Sequence, residues 1–123
     1  MFELQALSDE IRELLIKKLI QHGGHIGPNL GLLELTAALH YVFDDSIDKL
    51  VFDVSHQSYT HKMLIGRTRA FLEESHCDDV TGFTNPEESE YDLFHIGHTS
   101  TFLSLTRSWT LRYKVAISLD IIL

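Results

Sequence analysis

This 123-residue sequence is short of cysteine, proline and basic residues, with 1 Cys, 2 Pro and 10 Lys+Arg against 18 Asp+Glu. The lone thiol, Cys77, excludes an internal disulfide framework and points to a reducing, cytoplasmic setting. A formal charge of −8 leaves nothing to neutralise a phosphate backbone, which excludes a nucleic-acid groove. No apolar run approaches the roughly 20 residues of a spanning helix. The N-terminus lacks a basic-then-apolar signal pattern, so no membrane partner is expected. What remains is an ordinary globular composition, 44% hydrophobic and 23% charged. That length suits one domain able to hide about two-thirds of its unfolded surface.

The negative charge is concentrated. Glu73, Glu74, Asp78, Asp79, Glu87, Glu88, Glu90 and Asp92 fall in a stretch without Lys or Arg, and they account for the whole net charge. This reads as a solvated surface loop. An acidic binding surface is the sharper alternative, and no neighbouring motif supports it.

The pattern along the chain predicts α/β layering with a parallel sheet. Ser8 is placed to cap a helix in which Leu7, Ile11, Leu14, Leu15 and Leu19 recur at helical spacing, ended by Gly23-Gly24. The glycine-punctuated stretch from His22 to Gly31 is expected to be irregular. Leu32 to Phe43 reads as a buried helix, and Leu50 to Val54 as a strand covered on both faces. Gln57 to Ile65 is expected as a helix closed by Gly66, with a second from Arg67 to Ser75. A turn-rich region runs from His76 to His98. Beyond it, 102–123 differs in texture: some helical spacing, then an apolar Val115–Leu123 strand broken by Asp120.

Three of the eight histidines sit where glycine or a strand end makes the backbone irregular: His25, His56 and His98. Loops after strand ends are where open α/β sheets place ligands. A neutral imidazole there can donate to a phosphate oxygen or move a proton near neutral pH. Taken singly, each also reads as a hydrogen-bonded loop residue. Gly97-His98-Thr99-Ser100-Thr101 suits an anion cradle ahead of a helix, and equally an ordinary Ser/Thr cap. His22-x-x-His25 and His95-x-x-His98 have ligand-compatible spacing, but no HExxH or CxxC accompanies them, and no metal ligand is assigned. The absence of a Gly-x-Ser-x-Gly elbow argues against a serine hydrolase.

Three segments together are more specific. These are the Gly23–Asp44 loop and helix, Asp53-Val-Ser-His-Gln-Ser-Tyr-Thr-His-Lys62 continuing to Arg67, and Ser89-Glu-Tyr-Asp-Leu-Phe-His-Ile-Gly-His-Thr-Ser-Thr101. In order and gaps they resemble 1-deoxy-D-xylulose-5-phosphate synthase over residues 5–101. The resemblance implies a thiamine diphosphate fold, a parallel sheet with flanking helices. It also implies transfer of a two-carbon unit from decarboxylated pyruvate to glyceraldehyde 3-phosphate, which feeds isoprenoid, thiamine and pyridoxal synthesis. It places His25 at the thiazolium and substrate as a catalytic group. It sets His56 near the cofactor diphosphate, and Gly97, His98 and Ser100 along the cofactor.

Departures accompany the match. Position 55 is Ser where the family usually has Gly, and no Gly-Asp-Gly follows Thr101. In the family that motif and a later Asn hold the Mg²⁺ that clamps the diphosphate. The sequence is therefore expected to form a single, incomplete N-terminal diphosphate-binding domain over 1–123, with a divergent, truncated tail over 102–123. An inactive fragment that self-associates through its apolar tail is the expectation. The alternative is a non-catalytic module binding a phosphorylated ligand or a partner chain.

Overall fold

The computed structural model describes residues 2–113 and 121–122. In chain order it comprises α1 (Phe2–His22), α2 (Ile26–Gly31), α3 (Leu33–Val42), β1 (Leu50–Val51), α4 (Tyr59–Lys62), α5 (Arg69–Leu72), α6 (Phe102–Tyr113) and β2 (Ile121–Ile122). A kinked segment, Met63–Arg67, joins α4 to α5, with the helix broken at Ile65 and at Gly66, whose φ is 98°, and a 3₁₀ turn, Glu74–Asp79, follows α5.

The core forms where helical spacing aligns large apolar side chains. Ile11, Leu15 and Leu19 lie on one stripe of α1 and are buried against Leu33, Met63, Ala70 and Phe71. Leu7, expected on that stripe, is exposed, and buried Ser8 takes the position one turn before Ile11. Ser8 is not the cap. The helix begins at Phe2, because Glu3 to Leu7 are favourable helix formers, and the Ser8 hydroxyl donates back to the Leu4 carbonyl at 2.9 Å. Lys18 Nζ crosses to the Ala70 carbonyl at 2.8 Å, joining α1 to the end of the α5 turn.

Two further expectations are corrected. The glycine-rich stretch is partly regular, since Ile26–Gly31 forms α2 with Pro28 in its first turn, where no backbone N–H is needed. The expected Leu50–Val54 strand stops at Val51, because Val54 and Ser55 take left-handed φ values of 63° and 67° and leave the extended region. Among the described residues the strands form one short parallel ladder, Leu50 opposite Ile121 and Val51 opposite Ile122. The chain as described is thus mostly helical. The expected apolar strand at 115–123 lies outside the described residues, except for the backbone of Ile121–Ile122. Self-association through that tail gains no support from the described residues.

The acidic stretch is not wholly solvated. Glu88 and Asp92 turn inward and meet two cations from the α4–α5 region. Arg67 holds Asp92 with two parallel hydrogen bonds of 2.8 and 2.7 Å, and donates to Glu88 at 2.7 Å. The fully buried Lys62 donates to the same Glu88 oxygen at 2.7 Å and to the Thr81 carbonyl at 2.9 Å. Burial works against ionisation of both carboxylates. The Arg67 contacts and the Asn85 amide nevertheless hold Asp92 well below the usual range, and Lys62 and Thr81 do the same for Glu88. Burial also pushes Lys62 down, opposed by its pairing with Glu88. This cluster pins the 81–92 loop to the helices and thereby fixes the approach to residues 96–100.

Two measurements check this reading. Leu15→Ala, at a position with no exposed surface, is expected to cost about 3 kcal/mol in a denaturant melt, and Leu7→Ala well under half of that. Because Asp92 and Glu88 have folded pKa values below their unfolded ones, the unfolded chain takes up more protons as pH falls. Stability from these pairs is present above about pH 5 and is lost progressively below about pH 4. Urea midpoints that stay level between pH 5 and pH 3 would contradict it.

Candidate active site

The polypeptide approaches the site from two directions, and one side chain joins them. Asn29, on α2 and fully buried, donates from Nδ2 to the His25 carbonyl at 2.7 Å and to the His56 carbonyl at 2.8 Å. Its Oδ1 accepts the Tyr59 amide at 3.0 Å. A primary amide suits this task because it offers two donors and an acceptor on one rigid plane. The result places the rings of His25 and His56 edge to face, centroids 4.9 Å apart, with Phe83 6.4 Å from His25. His25 is exposed and His56 half-buried. Nδ1 of His56 is buried without a hydrogen-bond partner among the described residues.

Close backbone approach shapes the same corner. Gly24 has a φ of 129°, and a Cβ there would lie 2.7 Å from Leu19 Cδ2 and 3.3 Å from the Tyr59 hydroxyl. Tyr59 packs edge-on against Phe71, and burial, with Glu88 nearby, pushes its phenol up, so it stays protonated.

The third segment docks on the turn between β1 and His56. Both carboxylate oxygens of Asp53 accept the Ser100 amide, at 2.8 and 3.0 Å, with Ser100 at a left-handed φ of 68°. Fully buried Ser55 donates from Oγ to the Ile96 carbonyl at 2.7 Å and accepts the Thr84 amide at 3.0 Å. Successive left-handed residues at 54 and 55 cost on the order of 1–2 kcal/mol each. Two buried hydrogen bonds, at about 1 kcal/mol each, offset much of that. Gly97, His98 and Ser100 are exposed. The Thr101 hydroxyl turns back to the His98 carbonyl at 2.7 Å. The Ser100 amide is already taken by Asp53, while His98, Thr99 and Ser100 are all exposed.

The structure therefore brings His25 and His56 into contact and ties 96–100 to the same turn through the side chains of Asp53 and Ser55, which bond the Ser100 amide and the Ile96 carbonyl. Among the described residues, no cluster of three or more His, Cys, Asp or Glu has the arrangement to hold a metal ion.

A family model described as 1-deoxy-D-xylulose-5-phosphate synthase matches residues 1–117. The chain belongs to that family. A 1-deoxy-D-xylulose-5-phosphate synthase of Geobacillus sp. (strain WCH70) is 53% identical over 102 residues, 83% of this chain and 16% of its own length. The protein of that name from Dictyoglomus turgidum is 50% identical over the same shares. The one from Chlamydia pneumoniae is 51% identical over 104 residues, 84% of this chain and 16% of its own length. The chain thus spans about one-sixth of the length of the curated relatives it matches.

The serine at position 55 has a physical reading. Glycine reaches a left-handed φ freely, whereas Ser55 is held there by its two hydroxyl bonds. Sequence reasoning missed Asn29, Asp53 and Ser55 as site-builders. Each lies within a segment that suggested a function, but a buried amide and a hydroxyl bonded across the chain have no one-dimensional signature. No helix among the described residues is long and apolar enough to cross a membrane.

Removing the clamp tests the construction. Asn29→Ala is expected to cost about 2 kcal/mol or more in a denaturant melt, since it removes the side-chain partner of the Tyr59 amide and of two carbonyls at a fully buried position. The variant should also lose the nuclear Overhauser contact between the His25 and His56 rings. A variant as stable as the parent, with that contact intact, would show that other bonds hold the pair.

Proposed function

We propose that this chain supplies the histidine loops that face thiamine diphosphate in the synthesis of 1-deoxy-D-xylulose 5-phosphate from pyruvate and glyceraldehyde 3-phosphate. The observation that supports this reading best is the His25–His56 ring pair, fixed by Asn29, with one buried imidazole nitrogen lacking a partner. The family's fuller fold, a parallel sheet with flanking helices, would extend from the Leu50–Ile121 ladder.

The polar groups on this face fit the organic cofactor. His56 Nδ1 is a free buried site for a hydrogen bond from or to a ligand. The exposed His25 ring can carry a proton to or from a reacting atom. His98 and Ser100 are exposed donors for an anionic group, and Gly97 beside them leaves room for close approach. When bound, thiamine diphosphate supplies the electron sink for decarboxylation, while the protein orients it and handles protons. The Mg²⁺ that accompanies the cofactor in the family finds no matching ligand cluster among the described residues. Its ligands are not assigned to them.

By themselves, the 123 residues are proposed to be inactive and to bind thiamine diphosphate weakly. A −8 chain faces the diphosphate, and the family's cofactor-activating glutamate lies outside the matched segments. The test grafts residues 1–101 in place of the matching segment of the Geobacillus relative. The chimera is expected to form 1-deoxy-D-xylulose 5-phosphate, and His25→Ala within it to lower kcat by about 10²-fold or more. A soluble chimera without turnover would favour a non-catalytic module. Undiminished turnover by the His25→Ala chimera would remove the role given to His25.

A further inference from the structure

Apart from the candidate site, two histidines meet in the interior with a carboxylate at each end. His40 on α3 and His61 on α4 face each other through ring nitrogens, Nε2 to Nδ1, at 2.9 Å. The outer nitrogen of His40, Nδ1, lies 2.7 Å from Asp45, and the outer nitrogen of His61, Nε2, lies 3.4 Å from Asp92. His61 is buried, with Phe52 tilted against its ring at 5.0 Å, and its Nε2 has no hydrogen-bond partner among the described residues. Asp92 is itself held by Arg67 and the Asn85 amide, with Lys62 and Glu88 one step further along. On the other side, Asp44, Asp45 and Tyr91 line an open pocket of about 510 Å³ with His40.

Proton counting makes this arrangement two-state. Two neutral rings carry two N–H groups, but the line from Asp45 to Asp92 has three contacts that each need one. The short contact at Asp45 and the long one at Asp92 show where the deficit falls. With the two protons assigned to the two shorter contacts, His40 donates to Asp45, His61 Nδ1–H donates to His40, and the bare Nε2 of His61 faces a carboxylate. One more proton completes the row. We propose that the His40–His61 pair is a one-proton switch whose protonation reverses the hydrogen bond between the rings and turns His61 from an Nδ1–H to an Nε2–H tautomer bonded to Asp92.

The balance is simple. A proton from solvent ends on His61 Nε2, the former Nδ1 proton of His61 passes to His40 Nε2, and the positive charge rests on His40 beside Asp45. A second proton is refused: burial pushes His61 down, more strongly than the neighbouring Asp92 carboxylate raises it, and a charged His40 adds to that. The uptake joins α3, the turn carrying Asp45, α4 and the loop carrying Asp92 through one continuous row. That loop leads directly into residues 96–100.

The experiment is nitrogen-15 NMR of the histidines in the 123-residue chain, titrated from about pH 8 to pH 5 around the usual imidazole range. The expected result is one shared midpoint at which His40 becomes charged and His61 exchanges its Nδ1–H signature for Nε2–H while staying neutral. Asp45→Asn, at a partly exposed position, is expected to weaken the uptake about tenfold, a shift of one pH unit to the acid side. In His40→Gln the tautomer of His61 should no longer change with pH. Separate midpoints for the two rings, a His61 tautomer constant across the range, or an Asp45→Asn midpoint that does not move would each overturn the proposal.

Discussion

The architecture of the site hangs on the side-chain amide of Asn29. Its three hydrogen bonds span α2, the turn after β1 and the start of α4, segments 27 and 30 residues apart in sequence. Water cannot substitute easily at a position with no exposed surface, and a hydrocarbon there would leave backbone groups unpaired. The ring contact of His25 and His56 is a consequence of this bonding, because the amide holds the main chain of both residues rather than either imidazole. The rings themselves stay free for chemistry.

Beneath that surface lies a charged floor. Lys62, Arg67, Glu88 and Asp92 are mutually paired, and each partner removes the reason another would have to leave the interior. The bidentate geometry of Arg67 on Asp92 makes the arrangement directional, so the 85–92 loop has one seating rather than several. A purely apolar floor could be equally stable and would fix the loop less definitely.

Much of this was legible in the sequence, unevenly. The apolar stripe Ile11–Leu15–Leu19 follows from periodicity, because burial of one face is a repeating demand. The helix after Leu32 follows from its long apolar run, but the expectation that it is buried is corrected: only Leu33, Thr36 and Ala37 are buried, and Leu35, Tyr41 and Val42 are exposed. The strand after Lys49 was overextended, since nothing in Leu50–Val54 signals that two non-glycine residues turn left-handed. The acidic stretch was misjudged at two of its eight carboxylates. Charge density along a chain does not say which carboxylate will find an arginine. His25 and His56 were singled out by their loop setting and do meet, whereas the residues that make them meet were silent in one dimension.

Ser55 has a bearing on the order in which the molecule is built. A glycine at that position would let the turn before His56 visit its native shape in isolation. Serine makes that shape unfavourable until the Thr84 amide and the Ile96 carbonyl have arrived, from 29 and 41 residues away. The turn is consequently a receiver of tertiary structure and cannot nucleate it. Helices α1 and α3 can come together early on local and apolar contacts. The corner where His56 sits is assembled only when the later half of the chain closes over it.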